Sequence, residues 1–137
     1  MTIDGLISRC VSYASLRTEG RNGQSGTWED PVVTISRRVT IGHGAIIHAR
    51  VIGPEASIGM GAVLSLCSEI GAGSIVAESA LVPQGKIIPP ETLVAGVPAR
   101  PLRELTDKDR TDWRETKDWY VRMAAQYLDP DNYHPVK

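Results

Sequence analysis

Phenylalanine is absent from this chain of 137 residues, and aromatic residues make up only 5% of it, so any core must be built from aliphatic side chains. Only Cys10 and Cys67 occur, which excludes a disulfide scaffold and favours a reducing cytoplasm. No apolar run approaches the ~18 residues of a membrane helix, and Met1 to Gly5 lack the features of a signal peptide. With 15 basic and 16 acidic residues, we expect neither nucleic acid nor a membrane as partner.

A period of six residues runs through the middle of the chain. Every sixth residue is aliphatic over one long segment: Ile52, Ile58, Leu64, Ile70, Val76, Val82, Ile88 and Val94. A small side chain stands four residues after each of the first five: Ala56, Ala62, Ser68, Ser74 and Ala80. Neither an α-helix nor an alternating strand has this period. The spacing predicts a solenoid of short strands, with aliphatic residues pointing inward and small residues at tight corners.

The same period continues upstream with one interruption. Ile35, Ile41 and Ile47 keep the spacing of six, but the step from Ile47 to Ile52 is five residues. The pattern of an aliphatic residue, glycine, two variable positions and a small residue resembles the hexapeptide-repeat proteins. That resemblance implies a left-handed parallel β-helix with three hexads per coil. We therefore expect a mainly β fold of about four coils.

Charge density rises sharply after the repeats, which indicates a different element. Thr106 can cap a helix, and Asp107 and Asp109 would lie in its first turn. We predict an amphipathic helix over about residues 107–128, packed alongside the coils. Its expected contact stripe is Trp113, Thr116, Tyr120, Met123, Ala124 and Tyr127. The predicted domains are a β-helix over 1–103, with a glycine-rich loop inserted at about 17–31, and a helix and tail over 104–137.

Two of the three histidines, His43 and His48, lie five residues apart where the period is interrupted. In a solenoid they would fall on different faces, near one corner, and point outward, toward a neighbouring subunit if coils associate side by side. Their spacing alone leaves two interpretations open. They are either metal ligands or a histidine pair satisfied at an interface.

The segments TIGHGAIIHARVIG, ASIGMGAVL and VAGVPARPLREL, followed by a helix with Trp and Tyr, resemble the γ-class carbonic anhydrase-like branch of the hexapeptide-repeat superfamily. The likeness runs from about Val33 to Leu128. It implies a homotrimer in which three histidines from two subunits hold zinc, or another divalent metal, at each interface. His43 and His48 match the second and third ligands and would face different interfaces. Bound zinc lowers the pKa of a water to about 7, which permits attack on CO2.

The first histidine of the family has no counterpart, because no histidine precedes His43. Cys10 is the nearest group suited to zinc, although a lone cysteine is also typical of buried packing. His134 of a neighbouring chain is a further candidate. The family can place a proton-shuttling acid in the inserted loop, where the catalytic candidates are Glu19, Glu29 and Asp30. Solvated surface carboxylates are the alternative for all three.

Three functions stay open at this level. The first is a γ-carbonic anhydrase-like homotrimer acting on CO2 or bicarbonate, an active lyase if a third metal ligand is supplied. The second is a hexapeptide acyltransferase with an acyl-CoA donor, since VAGVPARPLREL also resembles the C-terminal signature of those enzymes. The third is a non-catalytic trimeric assembly protein, which the missing histidine favours.

Overall fold

The computed structural model describes residues 2–3, 7–9 and 32–127 of the chain. These residues form fourteen strands and one helix. The strands are β1 Thr2–Ile3, β2 Ile7–Arg9, β3 Val32–Ile35, β4 Val39–Ile41, β5 Ile46–Ile47, β6 Val51–Ile52, β7 Ser57–Ile58, β8 Val63–Leu64, β9 Glu69–Ile70, β10 Ile75–Val76, β11 Leu81–Val82, β12 Ile87–Ile88, β13 Thr92–Ala95 and β14 Arg100–Glu104. The helix is α1, Asp107–Tyr127.

Successive strands from β3 to β13 wind around three parallel sheets. Face A contains β4, β7, β10 and β13; face B contains β3, β6, β9 and β12; and face C contains β5, β8 and β11. Within the described ranges this makes three complete coils and part of a fourth. The predicted mainly β, parallel solenoid with a C-terminal helix is confirmed. The predicted loop at 17–31 lies outside the described residues, and the division at residue 103 stays a prediction.

The ends of the solenoid carry antiparallel strands. At one end β1 pairs with β4 on face A and β2 pairs with β3 on face B. At the other end the chain reverses after β13, and β14 pairs back onto it with a register shift between Leu93 and Val94. Among the described strands, face A is therefore bounded at both ends, and face B at one end, by a strand of opposite direction.

The core is the column of aliphatic residues that the six-residue period selected. All eight side chains from Ile52 to Val94 in that series are at most 2% exposed, and the five small corner residues are fully buried. Upstream, Ile35 is buried while Ile41 and Ile47 are half-buried against the same cluster. Each fully buried aliphatic side chain contributes about 1.5–3 kcal/mol. The predicted inward positions are thus confirmed.

The corners explain both the period and its interruption. One residue at nearly every corner adopts a positive φ, at intervals of six: Arg38, Gly44, Glu55, Gly61, Cys67, Gly73, Ser79, Gly85 and Glu91. The interval from Gly44 to Glu55 contains no such residue, and the corner between β5 and β6 is one residue shorter than the others. Ile47 consequently pairs with Leu64, 17 residues later, whereas Ile52 pairs with Ile70, 18 residues later.

Helix α1 begins with the predicted cap. The Asp109 backbone N–H donates to Thr106 Oγ1 at 3.2 Å, and the Thr106 backbone N–H donates to Asp109 Oδ2 at 2.8 Å. This reciprocal pair satisfies donors that the first turn leaves without helical partners. No helix of the described residues is both long and apolar enough to cross a bilayer.

The contact stripe predicted for α1 is largely wrong. Trp113 and Met123 are half-buried as expected, but Thr116, Tyr120 and Ala124 are exposed. Among the described side chains of the helix, only Lys117 is fully buried. The physical reason is that α1 lies on a narrow corner of the solenoid whose surface offers backbone carbonyls, so a cation rather than an apolar stripe makes the central contact. The side chain of Tyr127 lies outside the described residues.

Candidate functional site

His43 and His48 stand at the two ends of β5. His43 belongs to the corner of residues 42–45 between faces A and C, and His48 begins the short corner between faces C and B. Both are exposed. Neither imidazole has a hydrogen-bond or ion-pair partner among residues 32–127. The two histidines therefore flank face C, one on each side. The prediction that both lie near one corner is wrong, because the strand β5 separates them.

Rigid backbone holds both histidines in place. The carbonyl of His43 accepts a hydrogen bond from Gly61 N–H at 2.9 Å, and His48 N–H donates to the Leu64 carbonyl at 2.8 Å. Gly42, just before His43, packs so closely on the next coil that a Cβ would lie 2.5 Å from the backbone nitrogen of Met60. Each imidazole thus projects from a corner whose backbone is fixed by the coil above it, a favourable support for a ligand.

Neutral imidazole is a good zinc ligand, so both residues suit a metal by donor chemistry. The described part of the chain contains no group of three or more His, Cys, Asp or Glu side chains that could hold one ion. A site built on these histidines therefore needs donors from another copy or from elsewhere in the chain. Cys10, His134, Glu19, Glu29 and Asp30 lie outside the described residues, and their predicted roles stay predictions.

An ion pair lies beside His48. Arg50, two residues further on, bonds through Nη2 to Oε1 of Glu69 on the next coil of face B. The Arg50 side chain is largely exposed, so this contact contributes little to stability. Its effect is to hold a guanidinium close to the short corner, paired to a carboxylate rather than free.

The VAGVPARPLREL segment forms the β13–β14 hairpin. Its two central arginines, Arg100 and Arg103, are exposed. Arg103 binds both carboxylate oxygens of Asp109, through Nη1 at 2.6 Å and Nη2 at 3.0 Å. The Arg103 guanidinium and the Thr106 hydrogen bonds hold the pKa of Asp109 well below its usual range. Arg103 thus belongs to the helix cap, which leaves Arg100 as the arginine of this hairpin without an acidic partner among the described side chains.

Lys117 is a buried ionisable residue that the sequence pattern did not single out. Its Nζ donates to the carbonyls of Arg38, Glu55 and Ala56 at 2.9, 2.9 and 3.0 Å. Burial lowers its pKa to about 8, and the charge of Arg38 acts in the same direction while that of Glu55 opposes it. A lysine on a charged helix ordinarily faces solvent, so no periodicity marks it. We assign it to helix docking.

Comparison with known proteins places these observations in context. No family model matches the chain. It is similar to gamma carbonic anhydrase 1, mitochondrial, of Arabidopsis thaliana, at 43% identity over 102 residues that cover 74% of this chain and 37% of that protein. It is also similar to a carbonic anhydrase of Geobacillus kaustophilus, at 40% identity over 89 residues covering 65% of this chain and 49% of that protein.

Solved structures show the same architecture. A hexapeptide transferase family protein from Anaplasma phagocytophilum superposes with a TM-score of 0.62 at 32% identity, covering 65% of this chain and 54% of that one. The chain spans about half the length of the curated relatives it matches. The likeness therefore establishes the repeat and its coils, and it includes proteins with two different named activities.

Proposed function

The chain belongs to the hexapeptide-repeat β-helix superfamily, which has γ-carbonic anhydrase-like members, and from this membership we propose that it is a γ-carbonic anhydrase-like, metal-binding subunit of a homotrimer. His43 and His48 are the proposed ligands, with zinc or another divalent cation as the metal. CO2 or bicarbonate is the proposed substrate, and hydration is the proposed reaction where a third ligand completes the site.

The observation that carries this proposal is the placement of two exposed histidines without described partners on the two corners that flank face C. A buried structural histidine would be expected to bond to its surroundings, whereas His43 and His48 are exposed and accessible to a ligand. They stand on fixed backbone at two different corners, one on each side of face C. Such a pair cannot complete a site within the described residues of one chain, but it suits two sites, each shared with a different neighbour.

Rotational symmetry supports the sharing of one site by His43 and His48 of adjacent copies. In a ring of side-by-side solenoids, the rotation axis of the ring is parallel to the axes of the solenoids. Every copy then stands at the same height along that axis. One coil rises along the solenoid axis by the spacing between neighbouring strands, about 4.8 Å. The step of five residues from His43 to His48 is less than a third of a coil, so it rises only roughly 1.4 Å. His43 of one copy and His48 of the next would therefore meet at nearly one level.

The residues of this chain would hold the metal and orient it. His43 and His48 each supply one nitrogen from a rigid corner, and Cys10 is a candidate for the remaining ligand. When bound, zinc supplies a water of lowered pKa that can act as a nucleophile toward CO2. The dependence on two copies predicts that metal binding and association reinforce each other.

Subunit mixing tests this arrangement directly. We expect zinc in the purified wild-type protein and its loss in both His43→Ala and His48→Ala, with unchanged circular dichroism because both side chains are exposed. Coexpression of the two variants should restore roughly a quarter of the sites, since some interfaces then join an intact His43 to an intact His48. Arg37→Ala, an exposed corner change on the opposite side, is the matched control and should keep full metal content.

Two results would overturn the proposal. One is wild-type protein that takes up no zinc, cobalt or iron even after dialysis against the metal. The other is metal that stays bound in both single variants. Sites lost in each variant and not restored by coexpression would place both ligands in one copy, contrary to the shared arrangement.

A hexapeptide acyltransferase is the second candidate, favoured by the similarity to the Anaplasma protein. It requires an acyl-CoA donor and one histidine as base. Binding of acetyl-CoA measured by calorimetry, unaffected by metal chelation, would support it. Arg100 lies beside the last coil and has no acidic partner among the described side chains, so it is the basic group we would replace first. Arg100→Ala should then weaken binding of the coenzyme. Absence of any binding at millimolar acetyl-CoA would exclude this function.

A further inference from the structure

Helix α1 runs along the corner between faces B and A, and its contacts change from its start to its end. Near the start, Arg110 Nε donates to Glu91 Oε2 at 2.6 Å, in an ion pair between two partly exposed side chains. Two turns later the fully buried Lys117 reaches the coils at the other end of the solenoid. Counted from that end, the first coil comprises residues 32–50 and the second comprises residues 51–68. The helix is thus held by a solvent-accessible pair at the last coil and by a buried ammonium group at the first two.

The three acceptors of Lys117 lie on two neighbouring coils. Arg38 belongs to the first coil, and Glu55 and Ala56 belong to the second. The Lys117 Nζ donates to all three carbonyls, so it ties the two coils to each other as well as to the helix. The Ala56 carbonyl also accepts the backbone N–H of Thr40 at 3.0 Å, and Thr40 lies in strand β4 of the first coil. One carbonyl of the second coil therefore binds both the lysine and the first coil.

The side chain of Arg38 strengthens the same contact. Its guanidinium binds the carboxylates of Glu55 in the second coil and Asp118 in the helix. We call these three residues, together with Lys117, the Lys117 junction. The junction joins three elements, the helix and the first and second coils, through side chains that come from both the helix and the coils.

The first coil is also the coil that carries both candidate ligands. His43 follows Arg38 by five residues, and strand β4 spans most of the distance between them. The N–H groups of Thr40 and Gly42 bond this segment to the second coil at 3.0 and 2.8 Å, and His48 N–H continues the series at 2.8 Å. A β-strand is already extended and does not stretch, so a shift of the first coil at the junction is passed along β4 to His43. The position of the histidines against the second coil thus depends on contacts at the opposite corner.

We infer that Lys117 is a positioning residue for His43 and His48: the docked helix holds the first coil on the second, and removal of the lysine loosens the coil from which the histidines project. The part of this inference that concerns metal rests on the proposed function, whereas the loosening of the coil does not. The required group is a cation with N–H donors, because three carbonyl oxygens converge on one nitrogen. Neither an apolar side chain nor a charge without N–H groups satisfies them.

Hydrogen exchange of single amides, combined with chemical rescue, tests the loosening. In Lys117→Ala, n-propylammonium supplies the atoms that the substitution removes, including the ammonium group. We expect the amides of Thr40, Gly42 and His48 to exchange at least roughly tenfold faster in this variant than in wild type, and propylammonium to slow them again. Tetramethylammonium carries the same charge without an N–H group, so it is the matched control and should not slow them.

Amides further along the solenoid separate positioning from general support of the fold. The N–H groups of Gly71 and Ala77 bond to the last coil, and their exchange should change less than about twofold. Equal acceleration of both sets of amides, or unchanged exchange in folded Lys117→Ala, would overturn the inference. Lys117→Met, which fills the space without a donor, gives the same comparison if the alanine variant does not fold. Lys108→Met replaces an exposed lysine of the same helix and should leave both sets unchanged.

Cobalt binding tests the consequence for the metal site. Cobalt(II) in place of zinc has a visible spectrum that depends on its coordination geometry. We expect Lys117→Ala to bind cobalt roughly five- to tenfold more weakly, with an altered spectrum, and propylammonium to restore both. An unaltered affinity and spectrum in this variant would overturn the positioning role. Wild-type protein that binds no cobalt would sink the proposed metal function, while the result of hydrogen exchange would still decide whether the lysine holds the coil.

Discussion

The Nζ of Lys117 lies 2.9 Å from the carbonyl oxygen of Arg38, although 79 residues separate the two in sequence. The same nitrogen reaches carbonyls of Glu55 and Ala56 on the next coil. One ammonium group thus joins two successive coils to the helix. Arg38 adds a second link, because its guanidinium binds both Glu55 at 2.9 Å and Asp118 of the helix at 2.6 Å.

Replacement of Lys117 should loosen the helix. Lys117→Met keeps the length of the side chain but removes a donor from three carbonyls, of which that of Ala56 keeps the Thr40 N–H, so we expect the free energy of unfolding to fall by about 1.5–3 kcal/mol. Urea denaturation followed by circular dichroism measures it. Lys108→Met, which removes an exposed pair with Asp112, is the matched control and should cost less than about 0.5 kcal/mol. Equal losses in the two variants would contradict the anchoring role.

The lowered pKa of Lys117 predicts a pH dependence on the basic side. Its pKa is about 8 in the folded chain against an ordinary value of 10.5, so between these values the unfolded chain holds more protons. Stability should therefore rise with pH across this window, as the cost of burying the charge disappears. The difference in unfolding free energy between wild type and Lys117→Met, measured at pH 7.5 and 9.5, should grow. A constant difference would show that burial does not perturb this lysine.

Acid should weaken helix docking through Asp118. The hydrogen bond from Arg38 holds the pKa of Asp118 below its ordinary value of 3.8. A carboxylate with a lowered folded pKa contributes stability above its unfolded pKa and loses it as pH falls through the folded one. Asp118→Asn should therefore show a smaller loss of stability from pH 5 to pH 3 than wild type. Asp112→Asn is the comparison, and identical acid profiles for wild type and Asp118→Asn would argue against the link.

Two corner glycines should respond differently to the same change. A Cβ at Gly59 would lie 2.5 Å from the backbone nitrogen of Glu78, whereas at Gly85 it would meet nothing within 4 Å and only the positive φ opposes it. We expect Gly59→Ala to cost about 3 kcal/mol or more and Gly85→Ala about 1–2 kcal/mol. Thermal unfolding of the pair provides the comparison. Similar losses at both positions would mean that the coils separate easily.

Much of the fold could be predicted because the solenoid repeats one local arrangement, a short strand with an inward aliphatic residue followed by a corner with a small residue. Each inward residue from Ile52 to Val94 obeys the same six-residue rule, and the interruption after Ile47 marks the short corner. The helix start at Thr106 was also readable from capping chemistry. The contacts of the helix could not be predicted in this way. Lys117 anchors the helix through the carbonyls of Arg38 and Glu55, which lie far from it in sequence and show no pattern that relates them to it.

The candidate site could be predicted only in part, for a related reason. His43 and His48 are recognisable by their spacing at the interrupted corner, and the structure shows both exposed beside face C. Completion of a site depends on groups from other copies or from outside residues 32–127. The periodicity of a single chain does not show which groups of other copies would complete the site, because it does not specify how copies associate.

The antiparallel strand β14 has a consequence for growth of the molecule. An ordinary parallel coil ends in open strand edges that a further coil, or another molecule, could extend into a fibre. Here the last edge of face A belongs to β14, whose five residues are all exposed and include three charges and Pro101. Proline lacks the N–H that an added strand would require. The chain thus closes the edge of face A with a strand of its own, which discourages the addition of a further strand to that face.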